Sequence, residues 1–193
     1  MTAHFDEVAQ IRDAVIRGAV DETRGPARWL STHDGGDFPA VARPSLEAMQ
    51  NEGRIMLAQD QIVDIGRSLA RMGVACGRCH SAMGQGPDFQ VTEPPEMSPN
   101  PEPHMVRHKW AMDRMWEGLT GPSNTSWVAG AGALQDLPVD FGDNDQANHL
   151  AQRVHELSKK AQATTGDRDR AQVYGDLLET CALCHATLKM RMK

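Results

Sequence analysis

Apolar residues recur along this chain at helical rather than alternating spacing, and the pattern is clearest in the second half. There Pro103 suits the first position of a helix running to about Leu119, which Gly121-Pro122 stops. Ser123 to Leu134 reads as a short helix around Trp127. Asp143-Asn144-Asp145 offers caps for a third helix through about Thr164. Thr165-Gly166-Asp167 then turns the chain into a last helix, expected from Asp169 to Met190. The first half repeats the order: about Ala3–Val20, a short piece near Trp29, Ser45–Ala58 and Gln59–His80. No segment reads as a strand, so the expectation is an all-α chain with four helices per half.

The repetition extends to individual residues. His4 and Gly18 recur as His104 and Gly118, Trp29 recurs as Trp127, and a cysteine-rich run ending at His80 recurs ending at His185. The slight drift in offset implies short insertions in loops, as in a diverged internal duplication. Between the halves, Gly86-Pro87 to Pro103 contains Pro94-Pro95, Pro99 and Pro101, too much proline for a helix interior. The expected organisation is therefore a first unit over 1–86, a proline-rich linker over 87–103, and a second unit over 104–193. Units of this size are small for independent domains and gain from an added apolar surface to bury.

Composition sharpens that point. Only 5% of the 193 residues are aromatic, against eleven Met and four Trp, which is thin for a core of this size unless a cofactor completes it. The net charge of −6 argues against nucleic acid as a partner. No apolar run approaches the ~18 residues of a membrane-spanning helix.

The four cysteines carry the chemistry. They form Cys76-Gly77-Arg78-Cys79-His80 and Cys181-Ala182-Leu183-Cys184-His185, two Cys-x-x-Cys-His runs, the attachment pattern of c-type haem. Residues three apart share a helix face, so both thiols reach the two vinyl groups of one porphyrin. The next residue then brings its imidazole beneath the iron, so His80 and His185 are the expected proximal ligands. Three other readings compete. A four-thiolate zinc site usually separates its pairs by ~12–20 residues, far less than here, and leaves the histidines unexplained. A thioredoxin-like motif needs strand-rich surroundings. Disulfides closed over two residues gain little loop entropy. Two covalent haem c groups are the stronger expectation. In bacteria haem attachment takes place outside the inner membrane, so a periplasmic or exported protein is implied. Met1 to Glu7 show neither a basic n-region nor an apolar h-region, and the numbering is expected to start at a processed end.

A helical unit with Cys-x-x-Cys-His near the end of its last helix resembles the class II c-type cytochromes, the cytochrome c′ family of four-helix bundles. The resemblance covers each half once. It is carried by the two motifs, by the lead-in Ala171 to Thr180, and by the first-helix run Arg12-Asp13-Ala14-Val15-Ile16. It implies two tandem haem-binding bundles. Each unit is shorter than a typical subunit of that family. Ile16 and Trp116 fall about where its distal residue, often a ligating Met, is expected, and neither can ligate iron.

In an up-down-up-down bundle the end of the fourth helix lies beside the start of the first. The first turns hold His4 in one half and His104 and His108 in the other. His4 and His104 are therefore the expected distal ligands, giving two bis-His haems, with His108 the rival for the second. Met83 follows its motif too closely to reach over the ring, and Met105, Met112 and Met115 are expected in the core. His33, His149 and His155 are expected on the surface or in loops.

The function these features imply is single-electron transfer between redox partners, not enzymatic catalysis. The alternative is binding or sensing of small gases such as nitric oxide or carbon monoxide at a five-coordinate iron. A dihaem peroxidase is a third reading by analogy alone. Residues 1–100 carry −5 and 101–193 carry −1. That balance suits a redox partner with a basic docking face, in a weak, salt-sensitive complex.

Overall fold

A computed structural model of the chain describes residues 2–36, 38–97, 101–135 and 140–188. Among them are eight α-helices, one 3₁₀ turn and no strand, so the chain is all-α. The first four helices are α1 (Thr2–Arg17), α2 (Val20–Thr32), α3 (Arg43–Leu57) and α4 (Ile62–Met83). The others are α5 (Pro101–Thr120), α6 (Asn124–Ala133), α7 (Asp145–Gln162) and α8 (Asp167–Thr187).

Several boundaries differ from the sequence expectation, α4 among them, which runs Ile62–Met83 rather than Gln59–His80. Gly18, at φ 72°, ends α1 early and turns the chain directly into α2. Helix α2 is not a short piece near Trp29 but runs straight through Gly25-Pro26. Its inner face of Thr23, Pro26, Ala27 and Leu30 is buried, and that packing outweighs the backbone bond lost at proline. Helix α5 begins at Pro101 rather than Pro103, so it takes in the last residues of the expected linker. Residues 98–100, and Met190 at the expected end of the last helix, lie outside the described residues.

What remains of the linker is not an open tether. The Trp110 indole N–H donates to Thr92 Oγ1 at 3.2 Å, and Arg107 donates to the Pro95 carbonyl. Phe89 packs so closely on Gly121 that a Cβ there would come within 2.8 Å of the ring. The segment after α4 is thus laid along α5.

Sequence-adjacent helices pack in pairs, and α1 also meets α4 while α5 also meets α8. One contiguous core nevertheless spans both halves, with Ile11, Leu69, Met115, Trp127, Tyr174 and Leu177 fully buried. At its centre α4 and α8 form the most extensive helix pair. They run antiparallel: Gly66 faces Leu178, Gly175 faces Arg67 and Ala70, and Arg78 pairs with Asp167 at 3.4 Å. Glycine on each helix lets the two backbones come close at the crossing. The two recurring tryptophans do not play matching parts. Trp127 is fully buried and donates to the Ala161 carbonyl at the end of α7, at 2.8 Å. In the first half the equivalent bond to the end of α3 comes from Arg24, to the Leu57 carbonyl at 2.8 Å. Trp29 is half-buried elsewhere.

Candidate functional site

Each Cys-x-x-Cys-His run occupies the C-terminal turns of its helix, α4 or α8. Behind the first, Gly84 adopts φ 61° and Gln85 N–H closes onto the His80 carbonyl at 3.2 Å, ending the helix just past the motif. Because α4 and α8 are antiparallel, the motifs lie at opposite ends of the pair. From the Gly66–Leu178 contact, His80 is about 14 residues away in one direction and His185 about seven in the other. At ~1.5 Å per residue the separation is roughly 30 Å. Four thiols divided in this way cannot converge on one zinc ion.

The motif histidines are held in the same way at both ends, and by the opposite half. His80 Nδ1 lies 2.7 Å from the Thr120 carbonyl oxygen, the last residue of α5. His185 Nδ1 lies 3.1 Å from the Ile16 carbonyl oxygen, near the end of α1. A carbonyl only accepts, so in both cases Nδ1 is the donor and Nε2 is the ring nitrogen left to ligate. This is the arrangement that fixes an imidazole as a metal ligand, with its other nitrogen anchored on the backbone. Close helix approach makes it possible: a Cβ on Gly77, inside the first motif, would meet the Leu119 carbonyl at 2.2 Å.

The first motif opens into a cavity of about 570 Å³, within the ~300–1,000 Å³ of small-molecule and cofactor sites. Cys76, Cys79 and His80 line one side. Val8, Phe38, Leu46 and Met49 give apolar walls, and Trp116 and Thr120 reach in from the second half. Gly86, Pro87 and Phe89, from the segment expected to be a linker, close another side. His4 lines the same cavity. Its ring meets His33 edge-on with centroids at 4.4 Å, Trp29 edge-on at 5.5 Å, and stacks on Phe38 at 5.6 Å. His33, expected on the surface, is instead half-buried and stacked on Trp29 at 4.4 Å.

At the other end, His104 is buried at 4% exposure and its ring lies 4.2 Å from that of His108. Burial, with further contributions from His104 and His185, depresses His108 to about 3, so it is neutral at ordinary pH. His185 is likewise lowered by burial, partly offset by its bond to the Ile16 carbonyl. The three imidazoles therefore share one desolvated region. The anchoring carbonyls also make Ile16 and Thr120 counterparts 104 residues apart, and by that count the counterpart of His4 is His108 rather than His104.

The cysteines form no disulfide. Burial, then the neighbouring thiol, pushes Cys76 and Cys181 up to about 12. Thiols near helix C-termini gain nothing from the dipole, unlike the helix N-terminal cysteines of redox enzymes, so nucleophilic redox chemistry has no support here.

The sequence offers no signal for the Thr120 and Ile16 carbonyls, because any residue supplies a carbonyl. His33 and Trp116 were visible as residues but not as neighbours of the first motif. In comparisons with known proteins, no family model, curated protein or solved structure matches this chain.

Proposed function

We propose that the chain is a dihaem c-type cytochrome, a periplasmic or exported carrier of single electrons built as two tandem helical units related by internal duplication. The observation that carries the proposal is the repeated anchoring of His80 and His185: two motifs about 30 Å apart each present a histidine with Nδ1 bonded to a carbonyl. A chance Cys-x-x-Cys-His run has no reason to do this twice.

The residues present fit the group. The first cavity is apolar, of cofactor size, and bordered by both thiols and by His80. Cys76 and Cys79 would hold one haem and Cys181 and Cys184 the other through thioether bonds, with His80 and His185 as proximal ligands. His4 would be the distal ligand at the first site. At the second, His108 would take that role as the counterpart of His4 and through its proximity to His185, with His104 packed against it. When bound, haem supplies one-electron chemistry between ferric and ferrous iron. The chain's own residues do the rest: the carbonyl bonds orient the proximal imidazoles, and Trp116, Met49 and Phe38 exclude water from the first site. The acidic first half, at −5, suits a partner with a basic docking face.

The test is cofactor content after export from a host that attaches c-type haem. The expected product exceeds the 21.2 kDa polypeptide by about 1.2 kDa, which acid–acetone does not remove, and gives two haems per chain in a haemochrome assay. A product at the bare polypeptide mass from such a host would end the proposal.

A further inference from the structure

An aromatic pair lies in the buried core between the two motif sites. Trp116 of α5 forms part of the wall of the first cavity. It lies against α4 at Gly73, where an added Cβ would come within 2.7 Å of the indole. Its ring also meets that of Tyr174 on α8, with centroids 5.7 Å apart and planes inclined at 38°. Tyr174 is fully buried, and its hydroxyl donates to the Met112 carbonyl at 3.3 Å. Tyr174 precedes Cys181 by two helical turns, which puts both on the same side of α8. The ring pair thus leads from the first cavity into α8, and two turns of that helix separate Tyr174 from Cys181.

We propose that Trp116 and Tyr174 form the bridge by which an electron passes between the two haem sites. The inference rests on the dihaem reading above and deepens it. Tunnelling through protein falls off exponentially with distance, and more steeply across packing gaps than through bonded or π-rich paths. Over roughly 30 Å of separation, two rings in contact at the midpoint raise the coupling where saturated side chains would not. In each passage one ferrous iron loses an electron and the ferric iron at the other site gains it. Neither ring is oxidised and no proton moves. The surroundings suit a bridge of that kind. Burial holds the Tyr174 phenol well above its ordinary pKa. Arg12, fixed by Asp113 at 2.8 Å, sets a positive charge beside the phenol, which makes a ring cation costly.

The experiment uses the full chain carrying both haems. A light-generated reductant delivers less than one electron per molecule, and absorbance follows redistribution between the sites. A phase whose rate is independent of protein concentration is expected in the wild type. Tyr174→Leu should slow it at least tenfold, and Tyr174→Phe, which keeps the ring, should leave it within about twofold. Trp116→Leu should act as Tyr174→Leu does, and Trp116→Phe should fall between. Haem stoichiometry, reduced spectra and both midpoint potentials should be unchanged in the Tyr174 pair. The bridge is overturned by the absence of a concentration-independent phase in the wild type, or by Leu variants that exchange at the wild-type rate. Slowing shared by Tyr174→Phe, or slowing that follows a shifted midpoint potential, overturns it equally. None of these outcomes resembles failure of the dihaem reading, which would show as a wild type without haem.

Discussion

His80 donates its Nδ1 proton to the Thr120 carbonyl at 2.7 Å, a bond that crosses from the first half of the chain to the second. His185 returns the relationship by donating to the Ile16 carbonyl at 3.1 Å. Each motif thus sits on the fourth helix of its own half and is oriented by the first helix of the other. The two sites are built jointly, and damage to one half should be legible at the other half's histidine.

Gly77→Ala tests the hold of α5 on the first motif. The new Cβ would meet the Leu119 carbonyl at 2.2 Å and Pro122 Cγ at 3.2 Å, so α5 must move away from α4. Overpacking of this kind costs ~1–3 kcal/mol, which for a chain of this size lowers Tm by roughly 2–12 °C. The iron–histidine vibration and midpoint potential of the first site should shift, while those of the second stay in place. An unchanged first site would mean that the carbonyl bond does not orient His80.

His4 shares the first cavity with His80. His4→Ala should turn only the first haem high-spin and open it to carbon monoxide, with the second haem still low-spin. Optical spectra with and without carbon monoxide decide the matter. If both haems remain low-spin and closed, His4 is not a ligand.

At the second site the 104-residue spacing of the two anchoring carbonyls makes His108 the counterpart of His4. His108→Ala should therefore open the second haem to carbon monoxide. His104→Ala should leave the iron six-coordinate and act through packing, since His104 is buried against His108. The reverse result would return the ligand role to His104.

Glu117 offers a pH-dependent check on the α5 packing. One of its carboxylate oxygens pairs with Arg114, the other is buried without a hydrogen-bond partner among the described residues, and burial raises its pKa above 4.5. A carboxyl raised in the folded state favours folding when protonated. Its contribution is therefore complete below pH 4.5 and lost as pH rises through the folded value. Relative to Glu117→Gln, the wild type should lose stability across that window and follow a parallel curve above it. Denaturant midpoints measured from pH 4 to 8 give the comparison; a constant difference would show that Glu117 is not desolvated.

The helical pattern, the order of the elements and the two cysteine motifs were legible in the chain itself, because each rests on local chemistry. Apolar spacing sets an α-helix, Gly121-Pro122 ends one, and three-residue spacing puts Cys76 and Cys79 on one face. Helix α2 was legible only in part, since Gly25-Pro26 signals a break that burial of Pro26 overrides. The partners of the motif histidines could not be read at all. Thr120 and Ile16 act through backbone carbonyls, which carry no residue identity, and Trp116 reaches the first cavity only because α5 packs closely on α4 at Gly73. The sequence determined which groups exist and which lie on one helix face. The antiparallel packing of α4 on α8 decided which half of the chain completes which site, because burying both helices in one core brings the end of each half's first helix to the other half's motif.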